Sequence, residues 1–385
     1  MSPSSRPRMN SGQLPGLYLH VPFCRSKCFY CDFYSVASPA AIPRWLQAVR
    51  AEMDLYREKF PRFDTLYLGG GTPSILDEAD LAALFESIFD RFAFHPDSEI
   101  SMEANPESLT PGKLKTLRSF GLNRISLGVQ SLDEADLRFL GRRHSPGQAL
   151  RAIEACRSAG LANLGVDLIY GLETGSLKSW KKTLDTVLEY RPEHISCYQL
   201  TFETGTALWK MRRAGRVRSM DEKMQAAFFI WTSRYLERRG YRHYEVSNFA
   251  AGSEFMCRHN LKYWRHVAYL GLGPSAHSLR GAPPCAKRWW NVKSVRDYCR
   301  MLAEGKPPLA GSELLSRDQF DLEALDLGLR TCEGVDMSIL DEFPQSRKVL
   351  EQLQKSGLIR VDEGRARLTR KGFLVADSLA VMLGG

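Results

Sequence analysis

Six short runs rich in β-branched and other apolar residues recur along the first half of the chain: GLYLHVPF (16–23), TLYLGG (65–70), EISMEANP (99–106), RISLGVQS (124–131), NLGVDLIYG (163–171) and HISCYQLT (194–201). Their length and bounding turn residues predict strands. Between them, apolar residues spaced three and four apart predict helices over 43–59, 78–90, 111–120, 133–140, 147–159 and 176–190. Several open on Asp, Thr or Ser, and Gly121 and Gly160 close two of them. Strands alternating with helices imply right-handed parallel crossovers. Six such units predict an α/β fold, a partial (β/α)6 barrel instead of the closed eight-stranded form. In such barrels ligands bind at the carboxyl ends of the strands, so the polar residues where each run stops form the candidate site.

The pattern changes towards the end. Helical periodicity dominates, and SGLIRVDEGRARLTRKGF (356–373) reads as two short strands around the turn DEG, a wing-like hairpin following helices. The chain is therefore divided into a flexible N-terminus over 1–15, a barrel over 16–250 and a smaller, mostly helical C-terminal domain over 251–385. Winged helices often bind DNA, but SRKVLEQLQKSG (346–357) carries few basic residues and no groove-reading set. A packing or partner role is the stronger expectation, and DNA is disfavoured.

Composition changes little in this picture: 385 residues, 44% hydrophobic and 25% charged, is ordinary for a globular chain. The formal charge of +9 is spread out, with its densest pieces at MRRAGRVR (211–218) and GRRH (141–144). An anionic ligand is favoured over nucleic acid. The leader MSPSSRPRMNSGQLPG lacks the apolar centre of a secretory signal, and no stretch reaches the ~20 apolar residues of a membrane span. A cytoplasmic location is expected, with a transit-peptide remnant as the lesser alternative.

Nine cysteines are present, and three of them, Cys24, Cys28 and Cys31, fall within HVPFCRSKCFYCDFYS (20–35). The other six are isolated and read as small buried hydrophobes. Structural zinc closes its shell with four protein ligands, and only one group of three appears here. A four-iron cluster held by three cysteines would keep one iron open to another ligand. Other features follow the strands. GGGTP (69–73) lets backbone approach a ligand closely, and Glu103 is a carboxylate in an apolar run that needs a partner or a task.

The spacing Cys24-x3-Cys28-x2-Cys31 resembles the radical S-adenosylmethionine (SAM) superfamily, in which three cysteines bind a [4Fe–4S] cluster and SAM chelates the fourth iron. The resemblance implies that an electron from the cluster cleaves SAM to a 5′-deoxyadenosyl radical. It also implies that Gly70, Gly71 and Thr72 hold the methionyl amino group and that Glu103 accepts from the ribose hydroxyls. Gln130 and Asp167 would belong to the same SAM site, with Arg142 as an anion partner. Tyr18 and Tyr30 are candidates to shield the cluster and stack on adenine.

LYLHVPFC, GGGTPS, GVQS, LGRRHS and GVDLIYGL together resemble the family of oxygen-independent coproporphyrinogen III oxidases and HemW-type heme chaperones, over roughly residues 16–385. The oxidase pattern has a fourth cysteine where this chain has Phe33, and an N-terminal extension for which too little chain precedes Cys24. His259-Asn260-Leu261-Lys262-Tyr263 matches the His-Asn-x-x-Tyr signature of the chaperone branch, and imidazole and phenolate are both axial ligands of heme iron. His266, His277 and then Cys257 are rival ligands. The expectation is a chaperone that binds heme and passes it to an acceptor protein, which could lie at a membrane. A flavodoxin or ferredoxin is the expected class of electron donor. The alternative is a radical SAM enzyme acting on a tetrapyrrole, such as anaerobic oxidative decarboxylation of coproporphyrinogen III.

Overall fold

The computed structural model describes residues 13–173 and 175–385, so the leader assigned to 1–15 lies outside the described residues up to position 12. Its last two residues are held: Lys262 Nζ donates to the Leu14 carbonyl at 2.7 Å, and the Asp64 amide to that of Pro15 at 3.4 Å.

Six strands, β1 (Gly16–Val21), β2 (Arg62–Gly70), β3 (Ala93–Ala104), β4 (Arg124–Gln130), β5 (Leu164–Tyr170) and β6 (His194–Gln199), lie side by side in chain order, each parallel to the next. Helices Ile42–Tyr56, Glu78–Arg91, Pro111–Ser119, Pro146–Ser158 and Leu177–Glu189 fill the connections. Local chemistry starts four of them: the side chains of Asp77, Thr110, Ser145 and Ser176 each accept from the third backbone amide of their helix. The result is the partial (β/α)6 barrel that the alternation of runs predicts.

Because side chains alternate along a strand, each strand carries two different faces. Leu17, Leu19, Leu66, Leu68, Met102, Ile125, Leu127, Val166 and Leu168 are fully buried on the side packed by the helices. Tyr18, His20, Thr65, Tyr67, Glu103, Ser126 and Asp167 alternate with them and line the interior. Register aligns Tyr18 with Tyr67, Tyr67 with Ser101 and Ser101 with Arg124, and puts Glu103 beside Ser126 one level higher.

The sheet does not stop at residue 250. β7 (Arg242–His243) and β8 (Asn248–Ala250) extend the β6 edge antiparallel. β9 (Tyr269–Leu272) pairs parallel with β1, and β10 (His277–Arg280), β11 (Lys287–Asn291) and β12 (Leu309–Leu314) continue outward, making twelve strands in all. A division at 250/251 therefore cuts through the sheet. These strands are two to six residues long and broken by Gly and Pro, so the sequence reads as loop there. A separate apolar core begins at Leu325 and includes Leu329, Leu350, Leu353, Ile359 and Leu379. It packs helices Arg317–Leu329, Ser346–Lys355 and Ala376–Gly384 on a small sheet of β13 (Val335–Asp336), β14 (Ile359–Asp362) and β15 (Arg365–Leu368). The winged hairpin is present, with Glu363 and Gly364 both at positive φ in a two-residue turn. No helix among the described residues is long and apolar enough to cross a membrane.

One buried carboxylate ties the barrel to the added strands. Glu52, on helix Ile42–Tyr56, accepts from the Gly273 amide at 2.8 Å, from Asn291 Nδ2 and from the Tyr298 hydroxyl. Burial pushes its carboxyl from the ordinary 4.5 up to about 7, against the pull of those three donors. Between these values the unfolded chain has released a proton that the fold retains, so this group's stabilisation is lost as pH rises from 4.5 through about 7. Urea unfolding at pH 5 and pH 7.5 should show that loss in the wild type and a smaller one in Glu52→Gln. Glu52→Ala, which strands the three donors, should cost about 3 kcal/mol or more.

Candidate functional site

The three clustered cysteines occupy the loop leaving β1. Backbone bonds hold that loop: Cys24 N to Val36 O at 3.1 Å, Val36 N to Pro22 O at 2.8 Å, and Phe29 N to Leu140 O at 3.1 Å. All three thiols are partly exposed. Cys24 Sγ lies 3.4 Å from Thr72 Oγ1, and Arg142 Nη1 donates to Cys28 Sγ at 3.6 Å. Burial pushes the Cys31 thiol up to about 11, while the Phe33 amide pulls it down.

This donor set fits a cluster better than an ion. Among the described residues no three His, Cys, Asp or Glu side chains converge on a single-metal site. An iron–sulfur cube takes each thiolate on a different iron, so its ligands stand apart. Arg142 fits as well. Its Nη2 donates to Asn105 Oδ1 and to the Gly128 carbonyl, both at 2.7 Å, which fixes the guanidinium beside a sulfur that must be anionic to bind iron. Its buried Nε–H has no partner among the described residues.

The turn after β2 is pressed onto the same loop. Gly71 N donates to Val21 O at 2.9 Å and Thr72 N to Phe23 O at 2.8 Å. A Cβ on Gly71 would stand 2.6 Å from the Val21 oxygen and 2.7 Å from that of Phe23, so only glycine permits this approach. Gly70 has φ +101°, and a Cβ there would strike the His20 ring at 2.3 Å. Gly70 N donates to Glu103 Oε2 at 3.2 Å, so all three amides are spent within the chain. The carbonyls are what this turn offers to an ammonium group.

Glu103 also accepts from the Tyr67 hydroxyl at 2.9 Å. Burial lifts its carboxyl from 4.5 to about 7; Tyr67 and Gly70 pull it down and nearby Asp167 adds to the rise. Asp167 accepts from Ser126 Oγ at 3.0 and 2.9 Å, and burial raises it too. Gln130 ends β4 at φ +65°, a left-handed backbone in a non-glycine residue at the strand's carboxyl end. The triad, Gly70–Thr72, Glu103, Gln130, Arg142 and Asp167 thus gather in the interior and at the carboxyl ends of successive strands.

The aromatic candidates stand at different levels: Tyr30 is beside Cys28, Cys31 and Arg142, and Tyr18 is not. Tyr30 packs with Leu140 and Leu208 beneath helix Ala207–Arg213, next to Arg142. Tyr18 lies deeper in the barrel, its hydroxyl 3.1 Å from His20 Nδ1. His20 Nε2 donates to Tyr34 O at 2.8 Å, which makes Nδ1 the acceptor from Tyr18.

His259 and Tyr263 are at the opposite end. Helix Arg258–Trp264 closes the amino end of the barrel, with Glu99 accepting from the amides of Arg258 and His259 at 3.0 Å each. His259 is 1% exposed. Its Nδ1 is 2.8 Å from Thr65 Oγ1, its Nε2 is 2.8 Å from the Tyr263 hydroxyl, and its ring stacks on Tyr67 with centroids 5.2 Å apart. Burial drives its pKa down to about 3. A neutral imidazole has one lone pair to give a metal, and here both nitrogens are engaged. Cys257 is buried as well, and His266 is 3.1 Å from Glu323; of the three rival ligands His277 is the exposed one.

Reading the sequence for strand ends overlooked His20, Tyr67, Asn105 and Ser126. The signal was available as polar residues two apart within the apolar runs, the period at which a strand shows one face.

Comparison with known proteins accords with this geometry. The radical SAM superfamily model matches residues 18–187 and the HemN C-terminal domain model residues 315–375. The chain is 38% identical to the heme chaperone HemW of Mycobacterium tuberculosis over 381 residues, covering 97% of this chain and 96% of that one. It is 34% identical to HemW of Bacillus subtilis, covering 94% and 97%. The mitochondrial radical S-adenosyl methionine domain-containing protein 1 of Bos taurus is 32% identical, with 96% and 87% covered. In fold, the chain is similar to coproporphyrinogen III oxidase (HemN) of Escherichia coli, a radical SAM enzyme, with a TM-score of 0.83 at 24% identity over 97% of this chain and 90% of that one. With a radical SAM barrel built around three thiols and relatives of this identity along nearly its whole length, the chain belongs to the HemW family of radical SAM proteins.

Proposed function

We propose that this protein is a heme chaperone that binds heme and hands it to an acceptor protein in the cytoplasm or at a membrane. The observation that carries this reading is Phe33, 68% exposed beside the cluster loop at the position of the oxidase pattern's fourth cysteine. A chain with this loop keeps the three-thiol set and lacks a residue that the decarboxylating branch uses. The HemW relatives over nearly full length point the same way.

Cys24, Cys28 and Cys31 would hold a [4Fe–4S] cluster with SAM on its fourth iron, a pair that supplies one-electron chemistry when bound. The chain's own groups do the positioning. Carbonyls of the Gly70–Thr72 turn would receive the methionyl ammonium, Glu103 the ribose hydroxyls, and Arg142 a carboxylate or the cluster's negative charge. Asp167 and Gln130 border the same space. Heme ligation by His259 requires its bond to Tyr263 to break and the closing helix to move aside; Tyr263 is then the second oxygen or nitrogen donor within reach.

The test is an anaerobic hemin titration followed at the Soret band. A saturable, near-equimolar shift is expected in the wild type and a weakened one in His259→Ala, while His259→Gln separates lost packing from lost ligation. A shift kept in both and lost in His277→Ala would move the iron to the β10–β11 hairpin. Weak, non-saturating binding throughout would overturn the chaperone reading. Transfer of heme to an acceptor should fall sharply in the Cys24, Cys28 and Cys31 triple alanine variant; unchanged transfer removes the cluster from the mechanism.

Glu103 gives a pH test. Its carboxyl, raised to about 7, is charged above that value and takes up a proton below it, losing acceptor capacity towards a ribose diol. SAM affinity of the reconstituted protein should therefore fall between pH 8 and pH 6, and Glu103→Gln should bind weakly at both, with the slope removed.

A further inference from the structure

The chain has eight histidines, and one of them is unlike the rest. His20, His144, His194, His243 and His259 are buried and hydrogen-bonded, His95 accepts from the Asp97 amide, and His266 meets Glu323 at 3.1 Å. His277 is exposed, and neither of its ring nitrogens has a hydrogen bond or ion pair among the described residues.

Register sets its place in the fold. Tyr269 pairs with Gly16 on one side and with Leu279 on the other, so β9 and β10 continue the inward face of β1. His277 lies two residues before Leu279, on that same face and one step nearer the barrel's carboxyl end. Leu279 is buried with Phe320 of helix Arg317–Leu329, whereas His277 is left open.

A neighbour orients the imidazole. Trp290, opposite His277 on β11, stacks beside it with ring centroids 5.9 Å apart and planes 22° from parallel. The indole itself lies close on β12, where a Cβ on Gly311 would stand 2.5 Å from its ring. Burial and nearby Arg288 hold His277 below the ordinary 6.5, so at pH 7 the ring is neutral and offers a lone pair. A single imidazole cannot hold a bare metal ion, which takes three or four protein donors, and among the described residues no such group converges. Iron that brings four nitrogens of its own needs only one more. Trp290 gives a flat apolar ligand a wall, and the open side leaves the ligand's carboxylates in water.

We propose that His277 is an outer heme ligand, the group that captures heme iron while helix Arg258–Trp264 keeps the barrel floor shut. The proposal rests on the chaperone reading and adds a step to it: capture at His277 requires no movement, whereas ligation by His259 requires its bond to Tyr263 to break. On capture the solvent molecule held by the iron leaves, and the lone pair of one His277 nitrogen takes its place. Oxidation state and protonation stay as they were.

Anaerobic stopped-flow mixing of the full chain with hemin, read across the Soret band, tests this. The wild type should show a fast phase whose rate rises with hemin concentration, followed by a slower phase independent of it. In His277→Ala the fast rate should fall more than about tenfold, since loss of even an outer-shell partner of a metal ligand costs that much. In His259→Gln the fast phase should be kept. His277→Cys should yield the spectrum of thiolate-ligated heme in that phase, a signature that a merely structural role for His277 would not produce. Three results overturn the proposal and leave the chaperone reading standing: an unchanged fast phase in His277→Ala, its loss instead in a Ser variant of Cys285, the exposed thiol between β10 and β11, or a wild-type spectrum in His277→Cys. A wild type with no concentration-dependent phase does the same. No saturable shift in any of these chains overturns both.

Discussion

Two faces on every strand set the terms for everything else in this molecule. The side turned to the helices is Leu, Ile, Val and Met, and its burial drives the barrel together. The side turned inward carries Thr65, Tyr67, Glu103, Ser126 and Asp167, which would be ruinous in a dry core without partners. They therefore bond to one another, and the carboxylates among them shift towards the protonated form. A polar interior of preset geometry follows from the strand period itself. Its upper rim is where the cysteine loop and the glycine turn meet, and the fit there is fixed by backbone at Gly71, not by side-chain choice.

The same requirement explains the other end. An open barrel floor would expose Tyr18, Tyr67 and Glu99 to bulk water. Helix Arg258–Trp264 covers it, with Glu99 satisfying two amides at the helix start and His259 filling the space between Thr65, Tyr67 and Tyr263. Lys262, 6% exposed at its side chain, adds a 2.6 Å pair with Asp64. In this closed form the His-Asn-x-x-Tyr sequence serves packing first, and any metal role has to compete with those bonds.

The six barrel units were legible because each strand run is continuous, apolar and bounded by capping residues or glycine, and the helix limits read from period and caps agree with the structure to within a few residues. The triad was legible because three thiols at fixed spacing have few other uses. Strands β9 to β12 were not, since Gly273, Gly281, Pro283 and Pro284 interrupt them and β1, the partner that joins β9 to the barrel, lies some 250 residues back. Nor was the placement of His259: nothing local announces that a short helix will stopper a barrel whose strands were made far earlier in the chain. Tyr30 shows the converse, an aromatic next to a ligand that packs into an apolar cluster because Leu208 and Leu140 are there to meet it.

That stopper also governs traffic. The amino end is filled by His259, Tyr263 and Lys262, held by Thr65 and Asp64, so any ligand that needs the His259 nitrogens reaches them only when this seven-residue helix lifts. Latch and binding element are then one piece of chain, and being shut and being loaded exclude each other.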